Sequence, residues 1–149
     1  MKVSDFLVID ADKQSVWNIF MDVEKLAGCV PGCKDLVAHS DTEYEATMEV
    51  KTKFMKINFK ANGVLKDAVE GEKLIVEMVG KPMKLAGLFK ATMTVGLEEI
   101  ETNKTKVTYD MDLQMTGRLA SLGDVLMKGT VKKSADEFAE NVQSLFARA

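Results

Sequence analysis

The chain has 149 residues, 46% of them apolar, with 20 Lys and Arg against 23 Asp and Glu for a net charge of −3. Balanced charge at this apolar content excludes a disordered chain, mild acidity argues against a basic nucleic-acid binder, and the lack of an internal repeat argues against a solenoid or coiled coil. One domain over residues 1–149 is expected, large enough to fold without disulfides or a structural metal, and its oddity is ten methionines.

Residues 3–10 read as a strand through the apolar run Phe6-Leu7-Val8-Ile9. Asp10-Ala11-Asp12 then offers a helix cap, and Val16, Trp17, Ile19 and Phe20 are spaced for an amphipathic helix over 13–22. A second short helix over 23–29 must end before Pro31-Gly32. From 42 to 50 the even positions Tyr44, Ala46, Met48 and Val50 are apolar and most odd ones charged, the period-two mark of a half-buried strand. From 55 to 65 the parity inverts, so a hairpin is expected near Thr52-Lys53. Pairing Val50 with Met55 would set Glu49 opposite Lys56 and Glu45 opposite Lys60. A strand over 73–79 presents Leu74, Val76 and Met78 on one face, and Gly80-Lys81-Pro82 reads as a turn. Strands over 85–97 and 105–115 carry Phe89, Met93 and Val95, then Val107, Tyr109, Met111 and Met115, on their odd positions.

The period changes at the C-terminal end. Leu119, Leu122 and Leu126, then Val131, Ala135, Phe138, Val142 and Leu145, lie three and four apart, which predicts one long amphipathic helix over 118–147. An antiparallel sheet with one apolar face and one long amphipathic helix closes in one obvious way: the sheet curls and the helix crosses its concave side. The expected fold is therefore α+β, a helix-grip with a curved antiparallel sheet of about seven strands wrapped around the C-terminal helix and two short helices after the first strand. This arrangement tends to leave a cavity.

Met48, Met55, Met78, Met93, Met111 and Met115 fall on the inward strand face, and Met127 lies in the covering helix. Methionine is flexible and polarizable, so it either fills a loosely specified core or lines an adaptable apolar pocket. Phe20, Phe54, Phe59, Phe89 and Phe138 would wall such a pocket, with Tyr44 and Tyr109 each offering one hydroxyl.

Little here suggests catalysis. His39 is the only histidine and sits in a turn-like stretch; Asp110 and Asp112 share the polar face of a strand; Trp17 belongs to the apolar stripe of the first helix. No GxSxG, HExxH or P-loop pattern occurs. Cys29 and Cys33 flank the Pro-Gly turn at a spacing that is neither a redox CxxC nor a zinc pair, and two reduced thiols are expected. Neither a catalytic residue, a metal site nor a covalent cofactor is expected. With no 18-residue apolar run and no signal-peptide core at Met1-Lys2-Val3-Ser4-Asp5, a cytoplasmic location is expected. Lys51, Lys53, Lys56 and Lys60 cluster at one hairpin. They read as a solvated outer face that discourages edge pairing, or as a dock for an acidic partner or anionic membrane.

Two stretches carry a family resemblance. Val16-Trp17 through Asp22, with Leu26-Ala27-Gly28-Cys29-Val30-Pro31-Gly32-Cys33, is similar to the signature of the CoxG family of carbon monoxide dehydrogenase subunits, which are START-like (SRPBCC) helix-grip proteins. The runs Thr105-Lys106-Val107-Thr108-Tyr109 and Gly117-Arg118-Leu119-Ala120-Ser121-Leu122-Gly123, with the closing Phe138 helix, resemble its second signature. Asp12 stands where the family usually has Pro. The resemblance implies a non-enzymatic accessory protein, linked to molybdenum-containing carbon monoxide dehydrogenase, binding menaquinone or a similar lipid and aiding electron transfer or membrane recruitment. Peripheral contact with the inner face of the membrane, and no nucleic acid, would go with that role. The expected cavity lining is Phe20, Leu26, Val30, Tyr44, Met48, Phe59, Met78, Phe89, Met93, Tyr109, Met111, Met115, Leu122, Leu126 and Phe138. Arg118 and Lys128 could face an electron-transfer partner, although solvated helix charges are the plainer reading. Two alternatives stay open: a START-like enzyme such as a cyclase or hydrolase, and an interaction protein with a filled core.

Overall fold

A computed structural model describes residues 2–51, 56–123 and 130–147. Its elements are β1 (Lys2–Ile9), α1 (Lys13–Met21), α2 (Val23–Cys29), β2 (Cys33–Ala38), β3 (Glu43–Lys51), β4 (Lys56–Val69), β5 (Lys73–Pro82), β6 (Phe89–Glu101), β7 (Lys104–Met115), α3 (Gly117–Ser121) and α4 (Thr130–Ala147). The strands form one antiparallel sheet in the order β1-β7-β6-β5-β4-β3-β2. From β3 onward every strand pairs with the one before it, so hairpins build the meander. β1 crosses over to pair with β7 through α1, α2 and the intervening strands.

The helix starts follow local chemistry. Asp12 caps α1, its carboxylate accepting from the Ser15 amide at 3.1 Å and the Ser15 hydroxyl at 2.5 Å. Asp22 serves both short helices: its amide donates to Ile19 O as α1 ends, and its carboxylate accepts from the Lys25 amide as α2 begins. α1 buries Val16, Trp17 and Ile19. They join Ile9, Leu74, Val95, Leu97, Val107 and Val142 in a first core cluster. α4 is tied over it by Asn141 Nδ2 donating to Cys29 O at 2.9 Å, the Asp10 amide donating to Gln143 Oε1 at 2.8 Å, and a Lys132–Asp5 ion pair at 3.5 Å.

Four local expectations need correction. The β3–β4 register is Val50 with Ile57, Glu49 with Asn58, Thr47 with Lys60 and Glu45 with Asn62. The expected pairing was two residues off. A slip of two keeps every side chain on its face, so the hydrophobic pattern cannot distinguish the two registers. Glu49 still meets Lys56, diagonally, at 3.6 Å.

Gly80-Lys81-Pro82 is not a turn but the end of β5. Gly80 lies in the strand because the Phe89 ring occupies the space that a Cβ would need. Pro82 pairs with Phe59 beyond the last β5–β6 pair, Gly80 with Phe89, so its missing amide interrupts no central ladder.

β6 begins at Phe89 rather than near 85, because the chain before it makes a crossing described below. The helix expected over 118–147 is also interrupted. α3 ends as the Leu122 amide bonds to Leu119 O, three residues back, at 3.1 Å, a tightened last turn. Residues 124–129 lie outside the described residues.

Candidate ligand-binding face

The cross-strand register lays the inward side chains out in rows. One runs Tyr44–Gly63–Met78–Ala91–Leu113, the next Ala46–Ala61–Gly80–Phe89–Met115. Toward α1 lies the row Leu65–Val76–Met93–Met111–Val3, and then Leu74–Val95–Tyr109–Asp5. Small residues in the central rows leave room for large neighbours to lie across the sheet: the Phe89 ring over Gly80, and the Met78 side chain beside Gly63.

Burial along these rows is uneven. The first core cluster closes one end, with Phe20, Leu65, Val76, Met93, Tyr109 and Phe138 half-buried against it. A second cluster, Ile57, Phe59 and Leu119, closes the other end, with Met48, Val50, Leu85, Phe89, Met115 and Leu122 half-buried around it. Met78 and Met111 lie in the rows between and are also half-buried. Aromatic pairs mark both ends: Phe20 and Phe138 at 5.7 Å between centroids, and Phe59 and Phe89 edge-on at 5.5 Å.

Of the expected lining, then, Phe20, Met93, Tyr109 and Phe138 gather at the first cluster, and Met48, Phe59, Phe89, Met115 and Leu122 at the second. Leu26 and Val30, on and just after α2, are half-buried but belong to neither. Leu126 lies outside the described residues, as do Phe54, Met55, Met127 and Lys128. Val76, Leu65, Val50, Leu85 and Leu119 were absent from the expected lining. Val76, Leu65, Val50 and Leu85 are legible in the strand alternation and Leu119 in the helical stripe; that Leu85 and Leu119 share one cluster depends on a loop crossing that neither pattern shows.

The two tyrosines differ. Tyr44 turns its hydroxyl to the rim, donating to Asp41 O at 2.9 Å, so it does not present that group to the concave interior. Tyr109 is half-buried in the first cluster, and burial pushes its phenol pKa up, with the Asp5 carboxylate acting in the same direction. Thr105, the one buried polar residue of the core among the described residues, donates to Ala11 O at 2.8 Å. Among the described residues no buried side-chain polar atom lacks a hydrogen-bond partner, and no group of three His, Cys, Asp or Glu could hold a metal. His39 is exposed and meets Glu45 at 2.9 Å; Asp110 and Asp112 are exposed on the outer face. Trp17 is only 4% exposed, as a core residue. Both cysteines are free, and burial raises both thiol pKa values.

The sheet, the flanking helix and the apolar concave face define a START-like helix-grip protein. The chain belongs to the CoxG family of carbon monoxide dehydrogenase subunits, whose model matches residues 7–146. Among solved structures it is similar to a conserved protein from Geobacillus kaustophilus, at 21% identity and TM-score 0.89 over 99% of this chain and 96% of that one. It also resembles a START superfamily protein from Mycobacterium smegmatis (11% identity, TM-score 0.73, covering 99% and 97%). A third is the ZhuI aromatase/cyclase from Streptomyces sp. R1128 (10% identity, TM-score 0.70, covering 99% and 94%). At these identities the likeness shows the fold. No curated protein sequence matches the chain significantly.

The stretches that carry the family resemblance have structural roles. Gly32, at φ +77°, lies on the β3 backbone: its carbonyl accepts from the Glu49 amide at 2.8 Å, and a Cβ would strike Glu49 O. Gly117, at φ +64°, crosses Gly87 so closely that a Cβ would lie 2.7 Å from the Gly87 Cα. The crossing is fastened by the Thr116 amide donating to Leu88 O at 2.9 Å and the Leu119 amide to Ala86 O at 3.3 Å. It sets Leu119, fully buried, into the second cluster.

Proposed function

We propose that this chain is a non-enzymatic binding protein for a lipophilic ligand, an isoprenoid quinone such as menaquinone, held on the concave face beneath α4. The observation that carries this reading is the half-buried, methionine-rich middle of that face between two buried clusters. Met48, Met78, Met93, Met111 and Met115 can repack around a greasy chain of variable shape. An enzyme would need polar groups converging over that face, and the apolar rows described above supply few. Family membership supports an accessory role beside a molybdenum-containing carbon monoxide dehydrogenase, in electron transfer or in bringing that enzyme to the inner face of the membrane.

The test is native mass spectrometry with organic extraction of protein from a quinone-producing host, together with titration of menaquinone against Trp17 fluorescence. Met93 packs on the cluster that holds Trp17, so a bound quinone should quench it. Lack of both a co-purifying lipid and quenching would overturn the reading. Turnover of a polyketide or ester substrate would instead favour an enzyme.

A further inference from the structure

The end of the molecule formed by the start of β4 and the segment after β5 carries a set of lysines and an exposed methionine that the ligand face does not use. Lys34, Lys51 and Lys56 converge on one carboxylate, Glu49, at 2.7, 3.5 and 3.6 Å. The Glu49 side chain is 10% exposed, and the hydrogen bond from Lys34, with the other two ammonium groups, holds its pKa below the usual range. One carboxylate cannot neutralise three ammonium groups. The register adds like charges directly opposite one another, Lys51 with Lys56 and Lys60 with Lys81, an arrangement that destabilises a sheet. Lys60, Lys81 and Lys84 have no ion-pair partner among the described residues. The other nearby carboxylates are Glu45, diagonal to Lys60 across β3–β4 and already paired with His39, and Asp35, two strands from Lys60 across Thr47. This excess of cations sits in a chain whose net charge is −3.

The same end holds a cleft of about 270 Å³ lined by Lys56, Ile57, Asn58, Met83, Lys84 and Leu85. Its floor is apolar, with Ile57 and Leu85 continuous with the second core cluster, and two of its lining residues are lysines. Met83 is 52% exposed between Pro82 and Lys84, and its amide is anchored to Asn58 O at 2.9 Å. An exposed apolar side chain on a fixed loop, ringed by ammonium groups, matches the boundary between acyl chains and anionic headgroups. A soluble anion would account for the lysines and leave the apolar floor unexplained. An acidic protein surface would leave unexplained the cleft that joins floor and lysines.

We propose that this end rests on an anionic bilayer. Met83 enters the interface, one anionic lipid lays its chain against Ile57 and Leu85, and Lys56 and Lys84 meet its phosphate. The surrounding lysines add diffuse attraction, each changing vesicle affinity by about fivefold. The inference deepens the membrane side of the proposed accessory role: its cleft floor, Ile57 and Leu85, belongs to the cluster that closes the concave face, but Lys81, Met83 and Lys84 do not, so variants at those three can lose vesicle binding while the ligand face keeps its quinone.

The test is sedimentation of the protein with phosphatidylcholine vesicles containing or lacking 30 mol% phosphatidylglycerol, at low and high salt. Binding should need phosphatidylglycerol and weaken with salt. K81E and K84E together, at exposed positions without ion pairs, should weaken it by more than tenfold, and Met83→Asp should weaken it without removing a cation. Each variant should keep its circular dichroism spectrum and its menaquinone quenching of Trp17, which separates this surface from the ligand face. Equal binding to neutral vesicles, no binding to either, or variants that bind like the parent would overturn the proposal. So would a cleft filled by free fatty acid in protein that ignores vesicles.

Discussion

Asp12 starts α1 with a side-chain cap rather than with a proline. Proline would preset the backbone at the helix start; Asp12 instead satisfies the open Ser15 amide. Asp12→Ala should therefore cost about 1 kcal/mol in urea unfolding. Hydrogen bonds from the Ser15 hydroxyl and amide hold the Asp12 pKa below its usual range. Because the folded value is depressed, the contribution is present above the unfolded pKa and lost as pH falls through the folded one. The stability gap between the parent and Asp12→Asn should be flat near neutrality and shrink below about pH 4. Gly80 gives a second test at this scale. Gly80→Val would drive a side chain into the Phe89 ring and should cost about 1–3 kcal/mol. Pairing it with Phe89→Ala should recover part of that loss, a non-additivity that denaturation of the four variants would show.

Between elements, the contact that matters most for the candidate site is the crossing of the segment before β6 with the start of α3. Gly117→Ala would force a side chain into the left-handed region and against the Gly87 Cα and Ala86 O. A loss of about 2 kcal/mol or more is expected, with faster hydrogen exchange at the Leu119 amide, which bonds across the crossing. The sequence displayed both glycines and could not show that they touch, since Gly87 and Gly117 are 30 residues apart. For the same reason the pattern places the start of β6 near Leu85: alternation continues through the crossing segment although the strand itself begins at Phe89. At α4, the Lys132–Asp5 ion pair ties the helix to the edge strand β1. Both groups are solvent-accessible, so Lys132→Ala should change global stability only slightly.

For the molecule as a whole, the prediction concerns the methionines. Replacing Met93 and Met111, cross-strand neighbours, with Leu conserves volume and should alter stability by less than about 1.5 kcal/mol. The stiffer side chains should narrow the range of isoprenoid chain lengths that quench Trp17. Equal quenching across that range in parent and variant would show that methionine flexibility does not serve binding.

What the residues determined by themselves is the set of faces. Period-two alternation assigned Met48, Met78, Met93, Met111 and Met115 to one side of the strands, and the period-3.6 stripe through Phe138 and Val142 supplied a helix to cover them. Those patterns are local consequences of backbone geometry, so they survive without knowledge of partners. Tertiary structure alone decided the β3–β4 register, because a slip of two leaves the pattern unchanged. It decided that Tyr44 spends its hydroxyl on Asp41, that Gly80 belongs to a strand because Phe89 lies over it, and that the helical stripe breaks at Leu122. It also gathered lysines from four segments around Glu49 and Met83. Each of these depends on which distant residue fills a given space, and packing sets that only once the whole chain has closed.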